Sequence, residues 1–252
     1  MTDAAPPTIF SARRRAARAA RAQVLQQQAD AAQWLGEAMV EDMLDRIAFM
    51  RLEPARVLIL GVGSTTLGRA LERDGIRVTV AEPEAIDLER PMPFGDFGLI
   101  VSLAALDVIN DLPGALIHQR AALAPGGVML AGMIGAGSLP RLRSALLAAD
   151  GERPAARLHP AVDARSGAGL LQRAGFARQV ADAWTLRLRY GALDTLVADL
   201  RAQGLTSTLA DSAPPLTRTG LDRARKAFLA DADDDGRVIE TLEILTLTGW
   251  KD

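Results

Sequence analysis

A buried strand that runs without a break into a glycine turn, and from there into a helix, constrains this chain most. Arg56-Val-Leu-Ile-Leu60 is followed directly by Gly61-Val-Gly-Ser-Thr-Thr-Leu-Gly68 and then by helical Arg69-Ala-Leu-Glu-Arg73. Glycines in such a turn let the backbone approach a ligand, and the N-terminus of the following helix offers free N–H groups. A second strand, Ile76-Arg-Val-Thr-Val-Ala81, ends in Glu82. An acid at the tip of the second strand accepts hydrogen bonds from both hydroxyls of a ribose. The combination points to a nucleoside-type ligand. The competing reading is a tight turn with no ligand.

The alternation continues along the chain. Phe97-Gly-Leu-Ile-Val-Ser102 reads as a strand, Asp111 caps a helix over Leu112 to Leu123, and Pro125-Gly-Gly127 turns into strand Val128 to Gly132. Helices are expected over Leu139 to Ala149, in a stretch ending at Ala174-Gly175, and at about 191–203 and 219–230. Strands are expected over Gln179 to Leu188 and Arg237 to Thr248. Strands separated by helices specify an α/β fold with a doubly wound, mostly parallel sheet. Such sheets bind ligands beyond the C-terminal ends of their strands, and the Gly61 turn, Glu82, Ser102 to Asn110 and Met133 to Ser138 all fall on that edge.

Residues 1–52 read as a basic helical extension and 53–252 as the sheet domain. Arg13, Arg14, Arg15, Arg18 and Arg21 lie in a stretch without acids. An Arg- and Ala-rich start resembles an organellar transit peptide, but the helical spacing continues through Leu25, Trp34, Leu35, Met39, Met43, Leu44, Ile47 and Met50. A stripe of that kind packs on the domain it precedes or lids a ligand site. Composition removes other classes. The chain has no cysteine and only two histidines, which excludes thiolate metal sites, disulfides and three-histidine sites. With 49% apolar and 24% charged residues it is too apolar for a disordered chain. Its net charge of −2 does not suggest nucleic-acid binding. The longest apolar run, near Val128 to Gly137, is about half the ~18 residues of a membrane span.

Val101-Ser-Leu-Ala-Ala-Leu-Asp-Val-Ile-Asn-Asp-Leu-Pro-Gly-Ala-Leu116 and Leu123-Ala-Pro-Gly-Gly-Val128 resemble the class I S-adenosylmethionine-dependent methyltransferases. Met133-Ile-Gly-Ala-Gly-Ser-Leu-Pro-Arg-Leu-Arg143, Leu171-Gln-Arg-Ala-Gly-Phe176, Leu196-Val-Ala-Asp-Leu-Arg201 and Thr241-Leu-Glu-Ile-Leu-Thr-Leu-Thr-Gly-Trp250 narrow the likeness. They resemble bacterial relatives of a complex I assembly factor with arginine hydroxylase activity and the malonyl-carrier-protein methyltransferases. The resemblance implies a Rossmann-like sheet of seven strands with the last antiparallel, and S-adenosylmethionine over the first glycine turn. By matching position it implies Gly61, Gly63 and Glu82 as cofactor contacts, Asp87 on the adenine side, and Ser102 and Leu103 flanking the ligand. It also implies a protein or carrier-linked substrate and a bacterial cytoplasmic location, or a mitochondrial one if the Arg-rich start is a transit peptide.

The chain departs from that pattern at three places. Ile59 stands where an acid is usual, Thr65 stands where a third glycine is usual, and the segment between Glu82 and Leu99 is too short for the usual helix and third strand. A shortened region between strands two and four is therefore expected, and with it the alternative of an assembly protein that kept the fold and lost the chemistry. A nicotinamide dehydrogenase fits less well, because Thr66 occupies the position of the third glycine of Gly-x-Gly-x-x-Gly. Asp231-Ala-Asp-Asp-Asp-Gly-Arg237 imitates the start of a calcium loop, but Leu242 stands where the bidentate acid belongs, so an acidic turn is expected and no metal. His159 is a loop residue with the ordinary pKa of a general base, read here as a surface residue; His118, Tyr190 and Trp250 are expected to be structural.

Overall fold

The computed structural model describes residues 8–72, 75–81 and 86–252. Glu82 therefore lies outside the described residues, and its expected ribose contact is not placed. The elements run α1 (Ala12–Leu25), α2 (Trp34–Phe49), β1 (Arg56–Gly61), α3 (Ser64–Glu72), β2 (Arg77–Ala81), β3 (Phe97–Leu103), α4 (Leu112–Ala122) and β4 (Leu123–Ile134). They continue with α5 (Pro140–Asp150), α6 (Ala164–Arg173), β5 (Arg178–Tyr190), α7 (Leu193–Ala202), α8 (Arg218–Phe228) and β6 (Val238–Trp250). No described helix is long and apolar enough to cross a membrane.

The six strands form one sheet in the order β2-β1-β3-β4-β6-β5. β1 pairs in parallel with β2 and β3, and β3 pairs in parallel with β4. β6 enters antiparallel between β4 and β5. The antiparallel last strand is as expected. Seven strands are not found: among the described residues none lies between β2 and β3, so β2 is the edge. The chain from Ile86 to Asp96 is too short for a helix and a strand, and it runs as turns.

Side chains of β1 alternate between two cores, as the period of a strand demands. Leu58 and Leu60 face a cluster built with Leu116 of α4, Leu170 and Leu171 of α6, and Met129 and Leu245. Val57 and Ile59 face the other side, against Leu35, Met39, Val40, Met43 and Ile47 of α2 and Leu67 and Leu71 of α3. A third cluster joins α5, α7 and α8 to Tyr190 and Val238. The helical stripe after residue 33 thus covers one face of the sheet, and a division at residue 52 cuts through that core. The expected single lead-in helix is two, broken at Gln26–Gln33. α1 has no buried residue, in contrast to α2.

Candidate functional site

A cavity of about 860 Å³ opens beyond the C-terminal ends of β1, β3 and β4, within the ~300–1,000 Å³ usual for small-molecule sites. Its base is the turn from Gly61 to Thr66, its walls are Ile86 to Glu89, Ala104 to Ile109 and Ile134 to Leu139, and α1 forms its roof.

The base is shaped by close packing of backbone. Gly61 has φ +95°, and a Cβ there would collide with the Leu103 carbonyl oxygen, which accepts from Val62 N at 2.9 Å. Gly63 has φ +67°, and its Cβ would lie 2.8 Å from Val40 Cγ2 and 3.1 Å from the Gly36 oxygen. Both positions therefore require glycine because β3 and α2 press on the turn. Both still line the cavity. The helix begins at Ser64 rather than Arg69, so Thr65 sits in its first turn, with no positive φ and exposed toward the cavity. Its Cβ therefore does not crowd the turn. Ile59 is fully buried between α2 and α3 and does not reach the cavity. N–H groups of the first helical turn lack partners within the helix and border the cavity.

Ser102 and Leu103 lie under the cavity rather than in its lining. The Ser102 hydroxyl is buried and donates to Gln119 Oε1 at 3.1 Å, which turns it toward α4. Ala104 and Ala105 take the place expected for them on the wall. Ala104 holds φ +51°, a strained conformation for a residue with a Cβ, fixed by its N–H bond to the Gly132 oxygen at 2.8 Å. Asp87 is on the rim, exposed, and pairs with Arg90 at 3.2 Å.

Two residues gain significance from the structure. Asp107 follows β3, and its Oδ1 accepts from Ile134 N at 2.6 Å, which ties the ends of β3 and β4 together. Its Oδ2 is shut off from solvent and has no partner among the described residues. Burial pushes its pKa up to about 6, opposed by the Ile134 N–H bond and by Arg18 of α1. The sequence signal was an acid inside an otherwise apolar stretch, Leu103 to Ile109. His159 lies in the loop from Arg157 to Ala161, which the Arg157–Asp150 pair at 2.6 Å anchors. Its Nε2 accepts from Thr208 N at 2.8 Å, and burial holds its pKa down to about 4. It is a neutral strut, and not the surface histidine expected.

The roof is clipped at its start. Asn110 Oδ1 accepts from Ile9 N and Phe10 N, both at 2.8 Å, and its Nδ2 donates to the Phe10 oxygen at 3.1 Å. The Phe10 ring packs edge-on against His159 at 5.1 Å, beside Val108 and Leu209. Arg14, Arg15 and Arg18 donate to the carbonyl oxygens of Leu209, Val108 and Thr206. Gln26 ends the helix by donating to Ala32 and Ala202 oxygens, both at 2.9 Å.

Residues 31–179 match a methyltransferase-domain family model. The malonyl-[acyl-carrier protein] O-methyltransferase of Halorhodospira halophila is 30% identical over 246 residues, covering 86% of this chain and 81% of that protein. The chain belongs to the methyltransferase-domain family. The mitochondrial arginine-hydroxylase NDUFAF5 of Homo sapiens is also 30% identical, over 65% of this chain but only 49% of its own length. A solved Bacillus halodurans structure described as a methyltransferase superposes with a TM-score of 0.51 at 14% identity, over 84% of this chain and 98% of that one, which shows the shared fold.

The cofactor of this methyltransferase is S-adenosylmethionine. The residues present suit it: a roofed cavity of nucleoside size, helix N–H groups over the glycine turn, and an apolar wall at Ile86 and Leu88. Among the described residues no cluster of metal-ligating side chains occurs. The acidic turn before β6 is engaged by Arg189, which bonds Asp233 and Asp235. Tyr190 bonds Asp199 at 2.8 Å and Trp250 stacks under Arg178 at 4.9 Å, both structural; His118 lies in α4, outside the cavity lining.

Proposed function

We propose that this chain methylates an acceptor borne on a protein or on a carrier-linked chain, with S-adenosylmethionine as donor. The roofed cavity on the glycine turn carries the reading: it offers donor and acceptor one shared space beyond the strand ends. The donor supplies an electrophilic methyl on a sulfonium centre, so the protein's work is chiefly alignment and exclusion of solvent. Gly61, Gly63 and the first turn of α3 hold the donor, with Asp87 and Glu82 offered to the nucleoside. With Ile59 in the core, the carboxylate for the donor's ammonium group comes from Glu37 of α2, which lines the cavity next to Gly36, itself packed on Gly63. Exposed Arg143 on the cavity lining, with exposed Arg13 and Arg21 on α1 outside it, suits an acidic protein or carrier.

Isothermal titration with S-adenosylhomocysteine tests the reading. Binding with a micromolar Kd is expected, weakened at least about tenfold in Glu37→Gln. No heat up to near-millimolar ligand sinks it.

The burial of Ile59 where an acid is usual favours a second reading, an assembly protein related in role to the arginine hydroxylases. Mass spectrometry of a co-purified partner separates them: a gain of one CH2 supports methylation, a gain of one oxygen hydroxylation, and no gain a purely structural role.

A further inference from the structure

We infer that the ring of His159 selects the methyl acceptor: its Nδ1–H donates to a carbonyl or carboxylate oxygen that the acceptor carries. The inference rests on the methyltransferase reading and narrows the chemistry of its substrate.

The bond at Nε2 fixes the state of the ring. Nε2 accepts from Thr208 N at 2.8 Å, with the Thr208 hydroxyl at 3.3 Å from the same nitrogen. That nitrogen therefore presents its lone pair, and the proton of the neutral imidazole is on Nδ1. Burial, with Arg18 close by, keeps the ring neutral. Nδ1 has no partner among the described residues and, unlike Asp107 Oδ2 and Gln203 Nε2, is not shut off from solvent. His159 stands on the cavity lining. With Nε2 turned to Thr208, the nitrogen left to the cavity is the one that carries the proton.

The ring is held firmly in that place. Phe10 packs edge-on against it at 5.1 Å. Two residues earlier, Arg157 bonds Asp150 through Nε at 3.0 Å and a terminal nitrogen at 2.6 Å, and Asp150 also accepts from Ala155 N at 3.1 Å. The Val162 oxygen accepts from Ala136 N at 2.9 Å, which joins the His159 loop to the wall that follows β4. In the sheet order β3 separates β4 from β1, so this wall lies away from the glycine turn that holds the donor. His159 thus borders the space left for the acceptor. Arg143 is exposed on the same lining, and its guanidinium has no partner among the described residues. A fixed N–H and a guanidinium complement an oxygen and not an ammonium group. His159 is also excluded as the general base toward this acceptor, because the nitrogen that faces it already carries a proton.

The test uses the full chain, whose two histidines give a ring 1H–15N spectrum simple enough to assign with His159→Leu. The His159 ring is expected to show Nδ1 protonated and Nε2 bare, without titrating between about pH 6 and 8. Phenylacetate, phenylacetamide and phenethylamine are then titrated with and without S-adenosylhomocysteine. The two oxygen-bearing probes are expected to shift Nδ1, and phenethylamine to leave it in place. Their Kd is expected to rise about tenfold in His159→Leu and to stay within about threefold of the wild type in His159→Gln, whose amide accepts from Thr208 N and still donates. Tighter phenylacetate assigns the oxygen to a carboxylate, and tighter phenylacetamide to a carbonyl. The inference is overturned if the ring carries its proton on Nε2 or titrates near an ordinary histidine pKa, if neither oxygen-bearing probe moves Nδ1, or if phenethylamine moves it as far. It is equally overturned if His159→Leu lowers the melting temperature and leaves the Kd unchanged, which is the mark of a strut alone. Failure of S-adenosylhomocysteine to bind sinks the methyltransferase reading separately, because the titrations without it still report on His159.

Discussion

Gly61 and Asp107 mark two ways a single residue is fixed by its surroundings. At Gly61 the constraint is steric: φ is +95° and the Leu103 carbonyl occupies the space a methyl would need. Gly61→Ala is expected to cost about 3 kcal/mol or more, read as a fall in urea midpoint without a change in slope. At Asp107 the constraint is electrostatic. Its folded pKa of about 6 exceeds the unfolded 3.8, so between those values the folded state binds more protons and stability falls as pH rises. Asp107→Asn should be the more stable protein at neutral pH by about 3 kcal/mol, with the gap closing below pH ~4. His159 has the opposite sign. Its folded pKa, about 4, lies below the unfolded 6.5, so its contribution is complete above pH 6.5 and is lost as pH falls toward 4. Melting curves across pH should keep this acid-side loss in Asp107→Asn and lack it in His159→Leu. The glycine turn was legible in the sequence because its glycines are adjacent to a strand. The state of Asp107 was not, since Ile134, which bonds it, and Arg18, which sits over it, are remote in the chain. Ser102 misled for a similar reason: position on the right strand does not say which face a hydroxyl takes.

The least legible element was α1. Its arginines and alanines gave a helix, but nothing local gave its partners, which lie near residues 108–110 and 202–210. The break at Gln26–Gln33 was hidden because apolar spacing continued across it. By contrast α2 was legible, since its stripe of Leu35, Met39, Met43 and Ile47 has one face to bury. Asn110 is the clip that holds the roof, through three hydrogen bonds to the backbone of Ile9 and Phe10. Asn110→Ala is expected to raise amide exchange in Ala12–Leu25 by about tenfold or more while leaving β1, β3 and β4 protected. Uniform loss of protection across the sheet would show instead that the roof is part of the global fold.

For the molecule as a whole, the missing strand moves the sheet's edge to β2, where Val80 is 41% exposed. The short segment that was legible as a gap in the sequence became turns that wall the cavity with Ile86 and Leu88. Alternation of strands and helices gave the mostly parallel sheet, and the antiparallel last strand came from the family resemblance; the order β2-β1-β3-β4-β6-β5 came only from the structure. Binding of S-adenosylhomocysteine at 100 times its Kd should raise stability by about 2.7 kcal/mol, visible as a higher melting temperature. It should also protect α1 from proteolysis, because the roof closes over the ligand.

The roof arginines bond carbonyl oxygens more than carboxylates, and this sets how the entrance answers to its medium. Added salt screens ion pairs between exposed charges, but a guanidinium bonded to a neutral carbonyl has little net charge attraction to lose. Opening of this site should therefore depend on ionic strength through the Arg15–Glu89 pair and the attraction of Arg18 for Asp107, and respond as well to solutes that compete for peptide groups, such as urea. An acidic partner drawn to the exposed arginines would show the reverse dependence, so one salt series separates the arrival of the partner from the opening of the door.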